Sequence, residues 1–316
     1  MIRLLISLLL SLGVTLISSA ESWPTRFEPS ASSTSIKQLS NENGVFLYES
    51  NSFRIRSSVK LEAALLANFA ASAEAVAQVM QKIPLPLFAP PKNSRGLIEI
   101  TSDVEAYRKA GGAPGTAGYY DGRNGRIIIV QWDQLNRKSS GSKLIHRPAF
   151  DLLVHELTHL CMGKWLWKME PWLVEGTAEY FAAAHLTNGQ FDFIRIDSQI
   201  RNHIQKLTPV KEGKETVTMK MESLLKLSSK DWLHRTAGLS PEEALKSYTA
   251  ALVLTHYAFH GGSERRKEVR TYLEALEEVT FIREKKPVLF PLAEAAKIET
   301  RIQSYWRNKG LKLGFE

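Results

Sequence analysis

The sequence predicts an α+β fold, with a small mixed α/β N-terminal half and an α-helical C-terminal half. Two observations predict it. Before residue 148, short apolar runs alternate with turn residues around one Ala-rich helical stretch. After it, apolar residues recur at helical spacing in one segment after another, and no internal repeat is visible.

The elements follow in order. Arg3, the apolar run from Leu4 to Ile17 and the small residues Ser18-Ser19-Ala20 make 1–20 a cleavable secretory signal, with an uncleaved anchor as the rival reading. The chain is therefore expected to be exported, periplasmic or secreted. No cysteine follows that run, which argues against a lipoprotein anchor, and no other stretch reads as spanning a membrane. Residues 21–44, rich in Ser, Asn and Pro, are expected to be a flexible lead-in to a folded domain over 45–316.

Within 45–57, two apolar runs broken by Glu49-Ser50-Asn51 predict a hairpin. The stretch 61–82 lacks Gly and Pro and predicts a helix, which the Pro-rich 83–91 ends. A strand is expected at 97–100 and a short helix at 103–109. Gly118-Tyr119-Tyr120 and 126–131 flank an Asn-Gly turn, a second hairpin signal. Residues 126–130 read as a candidate edge strand for an extended peptide. A basic polar loop, 136–147, closes the α/β part (45–147). In the helical part, 148–316, helices are expected at 149–162, 171–187, 191–206, 219–227, 241–260, 264–279 and 291–308. A cleft between two such halves is a common place for an active site.

The formal net charge of +8 suits an anionic envelope surface or an acidic partner. No dense Lys/Arg tract with interleaved aromatics is present, so nucleic acid is not an expected partner. Cys161 is the only cysteine, so no intrachain disulfide is possible. Stability must come from the core or from a bound metal.

The chemistry concentrates in two segments. In His155-Glu156-Leu157-Thr158-His159, the histidines stand four residues apart on one helix face and can reach one metal ion. Glu156 then lies beside the metal, where it can take a proton from water. The rest of this helix is apolar apart from Asp151, and buried ionisable groups are costly unless paired or metal-bound. Gly163 is its natural stop. The next helix starts at Pro171 and is apolar except for Thr177, Glu175 and Glu179, again four apart. An antiparallel return brings Glu175 back toward the histidines, and a zinc ion is the simplest compensation for these four groups.

His155-Glu156-Leu157-Thr158-His159 followed by Trp172-Leu173-Val174-Glu175-Gly176-Thr177-Ala178-Glu179-Tyr180 resembles the gluzincin metallopeptidase pattern. It is closest to the peptidase MA-like proteins, including bacterial domains of unknown function (the DUF1570 group). Residues 103–130, with Gly118-Tyr119-Tyr120-Asp121 before a strand, also resemble that group. The resemblance implies a zincin-like fold, one zinc ion held by His155, His159 and Glu175, and Glu156 as general base. It makes Glu179 the acid that orients a ligand histidine, and a peptide or protein the substrate. The three-histidine alternative fails, because it needs Gly at Met162 and His at Trp165. The segment from Ser247 to Phe259 resembles a helix that begins with a catalytic Tyr in related aminopeptidases, which points to Tyr248 as oxyanion donor. Ala250-Ala251 stands where that pattern has Lys-Gly. No Gly-x-x-Glu-Asn precedes Arg126, which favours an endopeptidase over an aminopeptidase.

Blander readings stand beside these. The two histidines could be hydrogen-bonded core residues, and Glu179 or Glu170 could replace Glu175 as ligand. Glu179 also reads as a surface acid, Asp151 as a surface acid or, one turn before His155, as a support for the site, and Tyr248 as a core tyrosine. His146, His185, His203, His234, His256 and His260 are expected to be structural or exposed. Trp165, Trp167 and Trp172 read as packing, and Cys161 as a small core residue. Two other functions share the motif: a non-catalytic, zinc-stabilised envelope-binding protein, and a zinc amidase acting on cell-wall peptides.

Overall fold

A six-stranded sheet carries the N-terminal half and helices dominate the remainder, so the fold is α+β. The computed structural model describes residues 22–30, 35–90, 96–112, 116, 118–121, 126–129, 149–186, 188–208, 214–238 and 240–316. The signal segment 1–20, the turn at 122–125, Val130 and the basic loop 136–147 lie outside the described residues.

The sheet runs in the order β2 (Lys37–Glu42), β3 (Val45–Glu49), β4 (Phe53–Ser57), β5 (Gly96–Ile100), β7 (Arg126–Ile129), β6 (Gly118–Asp121). Strands β4, β5 and β7 are parallel neighbours. Their register aligns Ile55, Ile98 and Ile127 in one row, and all three are fully buried. Helix α1 (Ala63–Met80) connects β4 to β5, and helix α2 (Val104–Lys109) follows β5. Its buried Glu74 accepts hydrogen bonds from Ser50 Oγ at 2.7 Å, Ser52 N at 2.7 Å and Ser52 Oγ at 2.8 Å. Those donors tie the β3–β4 turn to α1 and compensate the burial of a carboxylate. By length and apolarity α1 is one helix that could cross a membrane, against the expectation of none. In this fold most of it is buried, packed on the helix that carries the two motif histidines.

Two expectations for the N-terminal half are corrected. The lead-in 21–44 contains two strands: β1 (Arg26–Phe27), which pairs with β8 (Phe191–Asp192), and β2. Strand β2 is polar and almost wholly exposed, so no apolar alternation marks it. The visible signal was Asn43-Gly44, whose φ values of 53° and 75° make the tight β2–β3 turn. The second correction concerns 126–130. Strand β7 sits between β5 and β6, so the edge beside the helical half is β6. The β6–β7 hairpin itself is antiparallel, as the Asn-Gly signal predicts.

The site helices are α3 (Ala149–Cys161) and α4 (Pro171–Ala184). Helix α3 packs against α1, β6, β7 and α4, and so joins the two halves. A Cβ on Gly96 would lie 2.5 Å from Leu160 Cδ2, so that glycine lets α3 close on the sheet. Helix α5 (Ile196–Leu207) starts later than the expected 191. Residues 191–192 are taken by β8, and Asp192 Oδ1 accepts from Ile194 N and Arg195 N at 3.0 and 3.2 Å. After β9 (Thr216–Thr218) come α6 (Met221–Leu225), α7 (Ser229–Gly238), α8 (Pro241–His260), α9 (Ser263–Glu277), α10 (Ala295–Asn308) and β10 (Leu313–Phe315). Helix α7 was not expected. Helix α8 matches its expected bounds because Ser240 caps it, accepting from Glu243 N at 3.3 Å, and Pro241 occupies the first turn.

Candidate metal centre

Helix α3 is buried from Leu153 to Cys161, and His155, Glu156 and His159 are 4%, 6% and 7% exposed. Their polar groups have little access to solvent. The Nε2 atoms of His155 and His159 lie 3.1 Å apart. Glu175 Oε2 lies 3.3 Å from the first and 3.6 Å from the second. Three donor atoms thus converge, and the group could hold a metal ion. Tetrahedral ligands about 2.0–2.1 Å from a zinc ion stand roughly 3.3 Å from one another. The observed triangle fits that spacing. Among the described residues the donor set is two nitrogens and one carboxylate oxygen, three of the four ligands a tetrahedral ion takes.

Electrostatics inside the triangle favour the ionised carboxylate. Burial pushes the Glu175 pKa up, but the charge of His159 and hydrogen bonds from both histidines outweigh it and take it down to about 2.

The surrounding shell is more elaborate than the sequence suggests. Glu179 is fully buried and not on the surface. Its Oε1 lies 3.1 Å from His155 Nδ1, beside the histidine it was expected to orient. Its Oε2 lies 2.8 Å from His203 Nε2. Asp151 is also buried, at 8% exposure, with Oδ2 3.9 Å from His203 Nδ1. The surface reading of Asp151 is therefore corrected: it faces α5, not water. His159 Nδ1 is buried with no hydrogen-bond partner among the described residues.

Glu156 packs against strand β6: a Cβ built on Gly118 would fall 2.7 Å from its Cγ and 2.9 Å from its Oε1. The Tyr248 ring, on α8, lies 6.1 Å from the His155 ring and 5.4 Å from Trp232, edge-on to both. Glu170 points elsewhere, accepting from Leu289 N at 3.5 Å, and is not in the donor group. His185 contacts Ser72, His256 pairs with Asp197 and His260 bonds Tyr180, all away from the triangle. Trp165 and Trp172 are buried packing residues, whereas Trp167 is 36% exposed. Cys161 is buried among apolar neighbours, and desolvation pushes its thiol pKa well up, so it is a core residue rather than a nucleophile.

The sequence reading missed the places of His203 and Gly118 in the site. His203 carried a signal, since it lies on the stripe Ile196, Ile200, Ile204, Leu207 that α5 buries. Gly118 was read only as part of the hairpin and of the family resemblance; its approach to Glu156 carried no signal, because the two are distant in sequence. The chain matches no protein-family model, and no curated protein matches it.

Proposed function

We propose that this chain is an exported, zinc-dependent peptidase of the gluzincin kind, related to the peptidase MA-like proteins, with endopeptidase action on peptide or protein substrates. The observation that carries this reading is the convergence of His155 Nε2, His159 Nε2 and Glu175 Oε2 with Glu156 adjacent. Zinc is favoured by the donor set, two imidazoles and a carboxylate. Such an ion, when bound, lowers the pKa of water and polarises a carbonyl.

The protein's own residues supply the rest. Glu156 takes a proton as water oxygen attacks the scissile carbon, then delivers it to the amide nitrogen as the C–N bond breaks. Tyr248 donates its phenolic hydrogen to the tetrahedral oxyanion. Strand β6, beside Glu156 and last in the strand order among the described residues, offers backbone groups to an extended substrate. A purely zinc-stabilised protein needs no carboxylate at position 156, and the presence of Glu156 next to the ligand His155 favours catalysis.

Purified chain should contain one equivalent of zinc by elemental analysis and cleave members of a peptide library until a chelator is added. Glu156→Gln should keep the zinc and lose turnover about a thousandfold. Turnover of a proven substrate at the parent rate by that variant would remove Glu156 from the mechanism. Zinc content without cleavage of any peptide would favour the binding protein, and cleavage confined to cell-wall peptides the amidase.

A further inference from the structure

Helix α5 contributes one residue to this region that the proposed site leaves without a task. His203 is 3% exposed, and its Nε2 lies 2.8 Å from Glu179 Oε2. The other oxygen of the same carboxylate lies 3.1 Å from His155 Nδ1. Because the Glu179 side chain has no solvent exposure, its oxygens depend on protein donors. With an ion at the triangle, His155 Nε2 offers its lone pair there, so Nδ1 carries the ring hydrogen and faces Oε1 at 3.1 Å. His203 then donates from Nε2 to Oε2, and its Nδ1 faces Asp151 Oδ2 at 3.9 Å. Asp151 stands one turn before His155 on α3. The contacts therefore close a ring through three helices: α3, α4, α5 and back to α3.

We infer that His203 is a positioning residue for the metal ligand His155, acting through Glu179. The inference rests on the metal-site reading above. A carboxylate gripped at one oxygen turns readily about its last torsion, which is broad and two-fold. A second donor on the other oxygen removes that freedom. Oε1 then stays beside Nδ1–H, the imidazole keeps its orientation, and the Nε2 lone pair stays aimed at the point where the three donors meet. Outer partners of this kind commonly change metal affinity by about 10- to 100-fold.

The test measures zinc affinity of the full chain by competition with a chromophoric chelator, and the visible absorption of the cobalt-loaded protein. Circular dichroism checks the fold. His203→Leu should weaken zinc binding about tenfold or more and alter the cobalt bands. His203→Gln, whose side-chain N–H reaches as far as Nε2, should restore most of the affinity. His203→Asn, which is shorter, should not. In a Glu179→Gln background, His203→Leu should cost nothing further, because the route to His155 is already cut. A folded His203→Leu protein with parental zinc affinity and cobalt spectrum overturns the inference, as do losses that add fully in the double variant. Should His203→Leu not fold, the Gln and Asn variants decide, and equal affinities for those two overturn it. A parent chain that takes up no zinc overturns the metal reading itself, and this inference with it. Tight zinc binding by the parent and by every His203 variant overturns the inference alone.

Discussion

Glu156 and Gly118 share a space that only one side chain can occupy. Adding a methyl group at 118 would press on Glu156 Cγ and Oε1, both parts of a side chain that can swing aside. Gly118→Ala should therefore leave the protein folded and metal-loaded while displacing the proposed general base. On the peptidase reading, misplacement of a catalytic group by about 1 Å costs roughly a hundredfold in rate. Steady-state kinetics on a library-derived substrate, with zinc content measured in parallel, would check it. Unchanged kcat would mean that the carboxylate tolerates the shift or does not act as base. At this scale the sequence was most legible where chemistry and periodicity coincide. Ionisable groups spaced by one helical turn in two apolar segments must compensate one another or share an ion. His203 was less legible, because a histidine on an apolar stripe looks alike whether it faces a hydrocarbon or a carboxylate.

The contact between α4 and α8 decides how firmly Glu175 is held. Gly176, the residue after that candidate ligand, lies so close to α8 that a Cβ would sit 2.1 Å from Thr255 Oγ1 and 2.3 Å from the Ala251 carbonyl oxygen. A backbone oxygen cannot rotate away, so Gly176→Ala must push the helices apart. The expected cost is about 1–3 kcal/mol of stability, the usual range for overpacking, with weaker metal retention because Glu175 moves with α4. Urea unfolding of the metal-free protein measures the first effect and chelator competition the second. A parental unfolding midpoint would show that the helices accommodate the methyl group. Helix positions were largely readable because apolar spacing, Pro and Gly mark them. Strand β2 was not, since an exposed, polar strand at a sheet edge has no buried face to print on its sequence.

Across the whole molecule, His185 joins the two halves. It follows α4, bridges to Phe191 and lies 3.4 Å from Ser72 on α1. Burial pushes its pKa down from 6.5 to about 4, so the folded state holds it neutral. The unfolded chain takes up a proton below its ordinary value, and the fold does not. Stability therefore falls as pH drops from about 6.5 toward 4, and this contribution levels off below that. At pH 5 the loss attributable to His185 is about 2 kcal/mol. Desolvation lowers His260 as well, to about 3, and adds in the same direction. Urea unfolding at pH 7 and pH 5 should show a smaller acid loss for His185→Asn than for the parent. Equal losses would remove His185 from the acid sensitivity. Metal-ligand protonation is common to both proteins and cancels in the comparison.

The sequence by itself determined the α+β division, most helix positions and the four groups His155, Glu156, His159 and Glu175, because each depends on spacing within a single helix or on local turn chemistry. Only the tertiary structure decided that β6 rather than β7 is the edge beside Glu156. It alone brought Glu179 between His155 and His203, and turned Asp151 inward. Those relations join residues from separate elements. Their distances follow from how helices and sheet pack, and no local periodicity records that.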